Sequence, residues 1–328
     1  MNFCESNYLA SPEFLKTTFH IITGIATPIH AFGFYCIICK TPAHMKSVKW
    51  LLFNLHCWCI CLDITFSFLS IPYILLPAIA GYGLGPIESP GLFFYLAITF
   101  ITGVTTSVFV TFENRFFILF AQKSFWRHIR KFAIVFSYII VPLYDLPIQF
   151  LIPEQSKGRE LSWRKLQCIP ELPNDGRELF VFATELLGPA ITIILAESVP
   201  TIQCGTFLAL NIYNLIFARR SGISKKTVQM QHRLVVAFII QTSVTLILFV
   251  VPVNAFISFI YFNYQNQFHN NLIVFAFAVH GIASTLIMVF VHRPYRDFVY
   301  SPFRRLFESG PTVYVIPAVS MSKAPIAP

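Results

Sequence analysis

The chain has 328 residues, of which 55% are hydrophobic and 12% are charged, with 24 Lys and Arg against 15 Asp and Glu. Soluble domains carry about 25% charged residues, so this chain has too few charges to cover a globular surface of its size. Composition excludes a soluble enzyme, a disordered protein and a disulfide-dense secreted module, and it favours an integral membrane protein embedded in a lipid bilayer.

Seven apolar stretches are long enough to cross a membrane, because a helix needs about 20 apolar residues to span the hydrocarbon core. Charged clusters or turns rich in Gly, Pro and Asn separate these stretches. In chain order the predicted spans cover residues 17–39, 50–80, 92–114, 132–152, 187–217, 234–262 and 271–291. The strict alternation of β-barrel strands is absent. The predicted fold is therefore an all-α integral membrane protein, a seven-transmembrane helix bundle.

The second and fifth spans exceed one membrane thickness, and each contains two prolines. Pro72 and Pro77 lie in the second span, and Pro189 and Pro200 lie in the fifth. Kinks, tilt or an extension along the membrane surface can accommodate the surplus residues.

The distribution of basic residues predicts the orientation, because Lys and Arg in loops tend to stay on the cytoplasmic side. With the N-terminus outside, 18 of the 24 Lys and Arg lie on the cytoplasmic side. We therefore expect the N-terminus outside and the C-terminus in the cytoplasm. Residues 1–307 form the seven-helix domain, and residues 308–328, rich in Pro, Ser and Ala, form a predicted disordered cytoplasmic tail.

Asp63 lies in the middle of the second predicted span, and no Lys or Arg falls inside a span to pair with it. Burying an ionisable group in lipid is costly. Asp63 is therefore expected to be neutral, hydrogen-bonded, or in contact with a cation or water. Two interpretations stay open: a residue that packs helices together, and an intramembrane switch or ion site.

Four further ionisable residues lie within spans or near their outer ends, and they are Asp145, Glu185, Glu197 and His280. Together they can line the floor or rim of an outward-opening ligand pocket with walls of Phe and Tyr. The alternative is that each makes a local contact between helices or lies at the level of the lipid headgroups.

An acid and a base, Glu113 and Arg115, stand two residues apart where the third span meets the cytoplasm. Such a pair can hold a closed state and release Arg115 when helices shift; the alternative is ordinary interfacial anchoring. Pro294, Tyr295 and Arg296 follow the seventh span at the same depth. These five residues are the predicted switch and coupling region.

Only two of the eight cysteines, Cys4 and Cys168, are predicted to lie outside, where oxidation is permitted. A disulfide between them and a pair of free thiols stay open as alternatives. Cys57, Cys59 and Cys61 lie two residues apart on a helix, so they cannot converge on one ion. We predict no metal site and no cofactor.

Four segments resemble nematode class H serpentine receptors (Srh). They are HMKSVKWLLFNLHCWCICLD at 44–63, LGPIESPG at 84–91, ENR at 113–115 and HGIASTLIMVFVHRPYR at 280–296. The likeness spans about residues 11–307. It implies a chemosensory G-protein-coupled receptor in the plasma membrane of sensory neurons and their cilia. The implied partners are a small-molecule or peptide cue and a heterotrimeric G protein, with no nucleic acid.

The chain departs from the better-known rhodopsin-like pattern, which limits what can be carried over. ENR stands in place of Asp-Arg-Tyr, no Cys lies at the top of the third span, and HRPYR replaces Asn-Pro-x-x-Tyr. A seven-helix transporter or ligand-gated channel is the alternative function, although the sequence shows no internal repeat. No nucleophile motif or pair of catalytic carboxylates is present, so an enzyme is not expected.

The basic asymmetry predicts how terminal tags will be exposed. A tag at Met1 should bind antibody on intact cells, whereas a tag after Pro328 should bind only after permeabilisation, because Lys and Arg hold loops in the cytoplasm. Antibody staining of intact and permeabilised cells measures both. An N-terminal tag that stains only after permeabilisation would contradict the orientation.

Overall fold

The computed structural model describes residues 2–87, 89–218 and 225–308. Apart from Glu308, the predicted tail at 308–328 lies outside the described residues. The α-helices of the described chain are α1 (Pro12–Lys40), α2 (Lys46–Ile64), α3 (Pro90–Phe116), α4 (Trp126–Phe150), α5 (Gln155–Lys165), α6 (Leu187–Ala218), α7 (Lys225–Tyr261), α8 (Gln267–Ala278), α9 (His280–Val291) and α10 (Arg293–Glu308).

Six helical segments of this described chain are long and apolar enough to cross a membrane. They are Pro12–Lys40, Val48–Ser70, Pro90–Ala121, Leu187–Asn214, Val235–Tyr261 and Gln267–Val291. These segments correspond to the first, second, third, fifth, sixth and seventh predicted spans.

Helix α4 contains most of the fourth predicted span and runs from one end of the bundle to the other. Near its start, Arg130 contacts Glu113 close to the end of α3. Near its finish, Gln149 donates a side-chain hydrogen bond to the carbonyl of Gly91 at the start of α3, at 3.2 Å. Helices α3 and α4 are therefore antiparallel over most of their length. Together with the six segments above, α4, the fourth in chain order, completes a bundle of seven helices.

Two of the spans begin where the sequence carries a serine followed by a proline. Ser11 accepts a hydrogen bond from the first turn of α1 at 3.1 Å, and Pro12 is the first residue of that helix. Ser89 and Pro90 repeat this arrangement at the start of α3. The serine satisfies an amide that the first turn leaves without a partner, and proline has no amide there to satisfy.

The helix predicted for residues 50–80 ends earlier than expected. Its last turn, Thr65–Ser70, is π-helical, and Ile71 then adopts a left-handed φ of 48°. Pro72 follows, and a proline has no N–H with which to continue a helix. Of the kinks, tilt or surface extension that could accommodate the surplus residues, the structure shows none within the helix, because the remaining apolar residues leave it and form a hairpin.

That hairpin belongs to a small sheet which the all-α prediction omitted. Strands β1 (Pro72–Leu75), β2 (Ala80–Gly83) and β3 (Phe180–Val181) pair antiparallel in the order β1-β2-β3. Tyr73 of β1 contacts the carbonyl of Ala10, so the sheet lies at the same end as the N-terminal segment. We call this the N-terminal end of the bundle and the opposite one the C-terminal end.

Helix α3 lies at the centre and packs against α2, α4 and α6. Its buried surface carries small hydroxyl side chains, which let membrane helices approach closely. They include Thr99, Thr102, Thr106, Ser107 and Thr111. A π-helical turn, Phe117–Ala121, extends α3 towards the C-terminal end. Arg115, predicted at the membrane boundary, therefore lies inside the helical segment.

Candidate functional site

Asp63 lies in α2 with 1% of its surface exposed, and its carboxylate contacts two other helices. Its Oδ2 lies 3.0 Å from Nε2 of His30 in α1, and its Oδ1 accepts a hydrogen bond from the N–H of Gly281 in α9 at 3.0 Å. Of the states left open by the sequence, Asp63 adopts the hydrogen-bonded one. Its ionisable partner is a histidine from another span.

The bond to Gly281 lies at a break in the seventh predicted span. Residues 271–291 are not one continuous helix, because α8 ends at Ala278 and α9 begins at His280. The first amides of a helix have no acceptor within it, and an unsatisfied amide is costly inside a membrane. Asp63 accepts a hydrogen bond from one of these amides, that of Gly281. The partial positive charge at a helix start also favours a carboxylate there. Asp63 therefore stabilises the start of α9.

His30 extends the contacts of Asp63 further along α9. Its Nδ1 lies 3.1 Å from Oγ1 of Thr285, and the hydroxyl of Thr285 donates to the carbonyl of Gly281 at 2.8 Å. Because that hydroxyl has only one proton, Nδ1 of His30 is the donor to Thr285. One proton then lies between Nε2 and the Asp63 carboxylate. The pair has no net charge on either assignment, which lowers the cost of burying it.

Two glycines allow the three helices to approach this closely. A Cβ added to Gly281 would lie 2.2 Å from Oδ2 of Asp63, and one added to Gly33 would lie 2.7 Å from Cγ2 of Thr285. His56 of α2 adds a further link, with its Nε2 3.1 Å from the carbonyl of His30. We call Asp63, His30, Gly281 and Thr285 the Asp63 network; it joins the first, second and seventh spans.

Two ligand-pocket candidates, Glu197 and His280, lie on different helices. Glu197 of α6 accepts a hydrogen bond from Oγ1 of Thr102 in α3 at 2.8 Å. His280 is fully buried at the start of α9, and its ring centroid lies 4.5 Å from that of Phe249 in α7. Neither ring nitrogen of His280 has a hydrogen-bond partner among the described residues.

The other two candidates are Glu185 and Asp145. Glu185 is exposed in the segment that precedes α6, and Asp145 lies in α4 with its side chain outside the described part of the structure. No hydrogen bond between described side chains joins Glu185, Glu197 and His280. Among the candidates with described side chains, the structure thus does not join Glu185, Glu197 and His280 in one site.

At the C-terminal end, the buried Glu113 is paired with α4. Arg130 donates from Nε to Oε1 at 2.9 Å and from Nη2 to Oε2 at 2.7 Å, and Trp126 donates from Nε1 to Oε1 at 2.7 Å. A bidentate pair of this kind is strong and specific in geometry. The expected pair between Glu113 and Arg115 is therefore wrong. Residues two apart on a helix point about 200° apart, so the two side chains face different helices.

Arg115 is 3% exposed and has no acidic partner among the described residues. Its Nε and Nη2 make no hydrogen bond in the described structure. The guanidinium carbon lies 5.8 Å from the ring centroid of Phe238 in α7. Arg115 is thus a buried cation between α3 and α7, an arrangement that is costly in a membrane protein.

The segment after α9 completes this region around Phe238. The ring centroid of His292 lies 5.4 Å from that of Phe238 and 5.8 Å from that of Tyr295. Tyr295 is fully buried, and its hydroxyl forms a 2.7 Å hydrogen bond with the threonine that follows α1. Arg296 is exposed and Pro294 is partly buried. Of the three coupling residues predicted in this segment, Pro294, Tyr295 and Arg296, only Tyr295 therefore lies in the interior.

Sequence reasoning missed three partners of the predicted residues, namely His30, Arg130 and His292. Arg130 appeared only as one basic residue among several in a loop. His30 does carry a signal, because it lies inside the first predicted span, where a histidine can pair with a buried acid. Its spacing from Asp63 along the chain does not identify the two as a pair.

At the N-terminal end, Cys4 and Cys168 form a disulfide, so the structure contains the bridged alternative. The N–H of Cys4 donates to the carbonyl of Ile169 at 2.9 Å, and the N–H of Ile169 donates to the carbonyl of Asn2 at 3.0 Å. Gln265, between α7 and α8, donates from Nε2 to the carbonyl of Cys168 at 2.8 Å. Three segments that are distant in sequence are thereby joined.

These three segments line a cavity of about 1050 Å³, which we call the N-terminal cavity. Its wall includes two acids, Glu5 and Glu171, and three aromatic side chains, Phe3, Tyr8 and Phe268. The ligand-pocket candidates with described side chains, Glu185, Glu197 and His280, lie outside this cavity. The sequence offered no signal for it, because its wall comes from loops far apart along the chain.

Tyr73 of β1 forms hydrogen bonds with two segments of the cavity wall, the N-terminal segment and the loop after α5. Its hydroxyl lies 3.0 Å from the carbonyl oxygens of both Ala10 and Glu171. Burial, reinforced by the negative charge of the nearby Glu171, raises the pKa of Tyr73 above its usual range. The phenol therefore keeps its single proton, which it can donate to either of these carbonyls or share between them.

Two comparisons with known proteins agree with this architecture. A sequence model of the family described as serpentine type 7TM GPCR chemoreceptor Srh matches residues 10–305. The chain is also similar to "Serpentine receptor class H-72" of Caenorhabditis elegans, with 29% identity over 342 residues that cover 97% of this chain and 92% of that protein. The predicted seven-transmembrane fold and the suspected class H resemblance are both confirmed.

The tight approach at Gly281 generates a prediction about stability. Gly281→Ala should destabilise the folded protein by about 1–3 kcal/mol, because its Cβ overlaps the Asp63 carboxylate and must displace it. Thermal unfolding of the purified protein in detergent measures the effect. Gly24→Ala in α1 is the matched control, since a Cβ there meets no atom within 4 Å. Equal melting temperatures for the two variants would contradict the role assigned to Gly281.

Proposed function

Because the chain belongs to the Srh family of serpentine seven-transmembrane chemoreceptors, we propose that it detects an extracellular chemical cue and signals to a heterotrimeric G protein. The cue is a small molecule or a peptide that acts on the helix bundle from the N-terminal end, which faces outside. The C-terminal end faces the cytoplasm. The proposed location is the plasma membrane of sensory neurons, including their cilia.

The observation that carries the signalling part of the proposal is the burial of Arg115 without an acidic partner in the described part of the chain. A buried guanidinium with two free nitrogens is destabilising unless another arrangement satisfies it. A shift of α7 relative to α3 can bring hydrogen-bond acceptors to the guanidinium of Arg115, and a carboxylate from a bound partner can do the same. Glu113 cannot do so while Arg130 and Trp126 hold it. Arg115 therefore suits an element with two states.

Helix α9 provides a physical connection between the two ends of this proposed switch. It begins at the Asp63 network and ends next to His292, whose ring packs against Phe238 beside Arg115. Its 12 residues span about 18 Å as one rigid segment. A cue that binds one position of α9 better than another therefore changes the surroundings of Arg115.

Glu197 and His280 keep the role of ligand-region residues in this proposal. His280 is buried beside Phe249 with both ring nitrogens free of described partners, and it stands directly before Gly281. A ligand group that bonds to His280 would act on the start of α9. Glu197 would act through α3, to which Thr102 joins it.

The proposal predicts that Arg115→Ala reduces the maximal signalling response about tenfold or more while the receptor still reaches the cell surface. The reason is that the variant removes the cation on which the two states differ. The measurement is the calcium or cAMP response of transfected cells to a panel of chemical cues, at matched surface expression.

Arg127→Ala is the matched control, because Arg127 is an exposed arginine at the same end of the bundle. It loses the same charge and should signal normally. An Arg115→Ala receptor with a normal maximal response would contradict the switch. A wild-type receptor at the surface that stays silent with every G-protein class and cue would contradict the receptor function itself.

A further inference from the structure

The N-terminal cavity has a distinctive charge. Among the described residues, its wall contains two carboxylates, Glu5 and Glu171, and no Lys, Arg or His. Both acids are exposed, and neither takes part in an ion pair among the described residues. By contrast, four other acids of the loop between α4 and α6 each form an ion pair. They are Glu154, Glu160, Asp175 and Glu178. Two negative charges are therefore left facing the cavity without a counter-charge.

Aromatic side chains line the same cavity as these carboxylates, with much of their surface uncovered. Phe3 is 80% exposed and Tyr8 is 64% exposed, although both belong to a segment held in place. An aromatic face attracts an organic cation, and a carboxylate attracts the same group. The two kinds of side chain thus favour one ligand chemistry, a positively charged group that carries apolar carbon.

The cavity wall is held in place from several sides. The Cys4–Cys168 disulfide closes it between the N-terminal segment and the loop after α5. Gln265 joins that loop to the segment before α8, and Gln267 donates to the carbonyl of Ile74 in β1 at 3.1 Å. A preformed wall reduces the entropy lost when a ligand binds.

The volume also fits a ligand of ordinary size. The cavity measures about 1050 Å³, just above the range of about 300–1,000 Å³ for small-molecule sites. The sheet lies next to it, and the four residues of β2 are all buried. On the orientation proposed above, a cue that approaches from outside meets this cavity before it can reach the buried His280.

We infer that the N-terminal cavity is a binding site for an organic cation with an apolar or aromatic group, such as an aliphatic amine. The cation lies against the carboxylates of Glu5 and Glu171, and its apolar part lies against Phe3, Tyr8 and Phe268. Anions of the same size are excluded by repulsion. This inference deepens the proposed function and rests on the outward orientation of the N-terminal end.

Binding of a fluorescent cation to the full-length receptor in lipid nanodiscs tests the inference. The probe is dansylcadaverine, and dansylglycine, which carries a carboxylate in place of the amine, is the matched anion. Wild type should bind the cation saturably, more weakly as salt increases, and should not bind the anion. The double variant Glu5→Gln/Glu171→Gln should bind the cation about tenfold more weakly, because two exposed charge contacts are lost.

Glu13→Gln is the matched control, because it removes one acid from the same end of the bundle outside the cavity wall. It should leave the dissociation constant unchanged. Phe3→Ala should weaken binding with the carboxylates intact. No saturable binding of dansylcadaverine to wild type, equal binding of dansylglycine, or equal affinity of the double variant and Glu13→Gln would each overturn the inference.

These results separate the inference from the proposed function. Cells that respond to a cue with the same potency in wild type and in Glu5→Gln/Glu171→Gln, together with no nanodisc binding of the probe, would overturn the cation site and leave the receptor function in place. Probe binding that depends on both carboxylates, in a receptor that activates no G protein, would support the site and contradict the signalling function.

Discussion

The arrangement of the first, second and seventh spans depends on the hydrogen bonds that the carboxylate of Asp63 makes to His30 and Gly281. A bilayer offers no water to satisfy a broken helix, so an interruption in the seventh span needs an acceptor from within the protein. Asp63 supplies that acceptor to Gly281, and His30 neutralises the charge that Asp63 would otherwise carry into the membrane. The start of α9, and with it the position of His280, follows from this contact.

The two ends of the bundle are stabilised in different ways. At the N-terminal end a disulfide, a small sheet and side-chain amides hold loops together, which leaves a preformed cavity. At the C-terminal end Glu113 and Arg130 form a tight pair, while Arg115 and His292 stay buried with polar nitrogens that have no described partner. These differences are why we propose ligand selection at the N-terminal end and the change of state at the C-terminal end.

Much of the fold follows from the length of the apolar segments. The seven spans, and the serine and proline that begin α1 and α3, can be read directly from the chain. The second and seventh spans were wrong in detail for different reasons. In the second span, hydropathy counts apolar residues and does not distinguish a buried hairpin from the continuation of a helix. In the seventh span, no proline in the sequence indicates the break at Val279. The break depends instead on Asp63 of another helix, which accepts a hydrogen bond from Gly281.

By itself, the sequence determined that the protein crosses the membrane seven times and which polar residues are placed among apolar ones, including Asp63, Glu113 and Arg115. These conclusions need only composition and the helical period. The tertiary structure decided the partners: His30 for Asp63, Arg130 for Glu113, and no described acid for Arg115. The helical period relates residues three or four apart within one helix. A partner on another helix depends on the rotation and height of both helices, which are set only when the whole bundle packs.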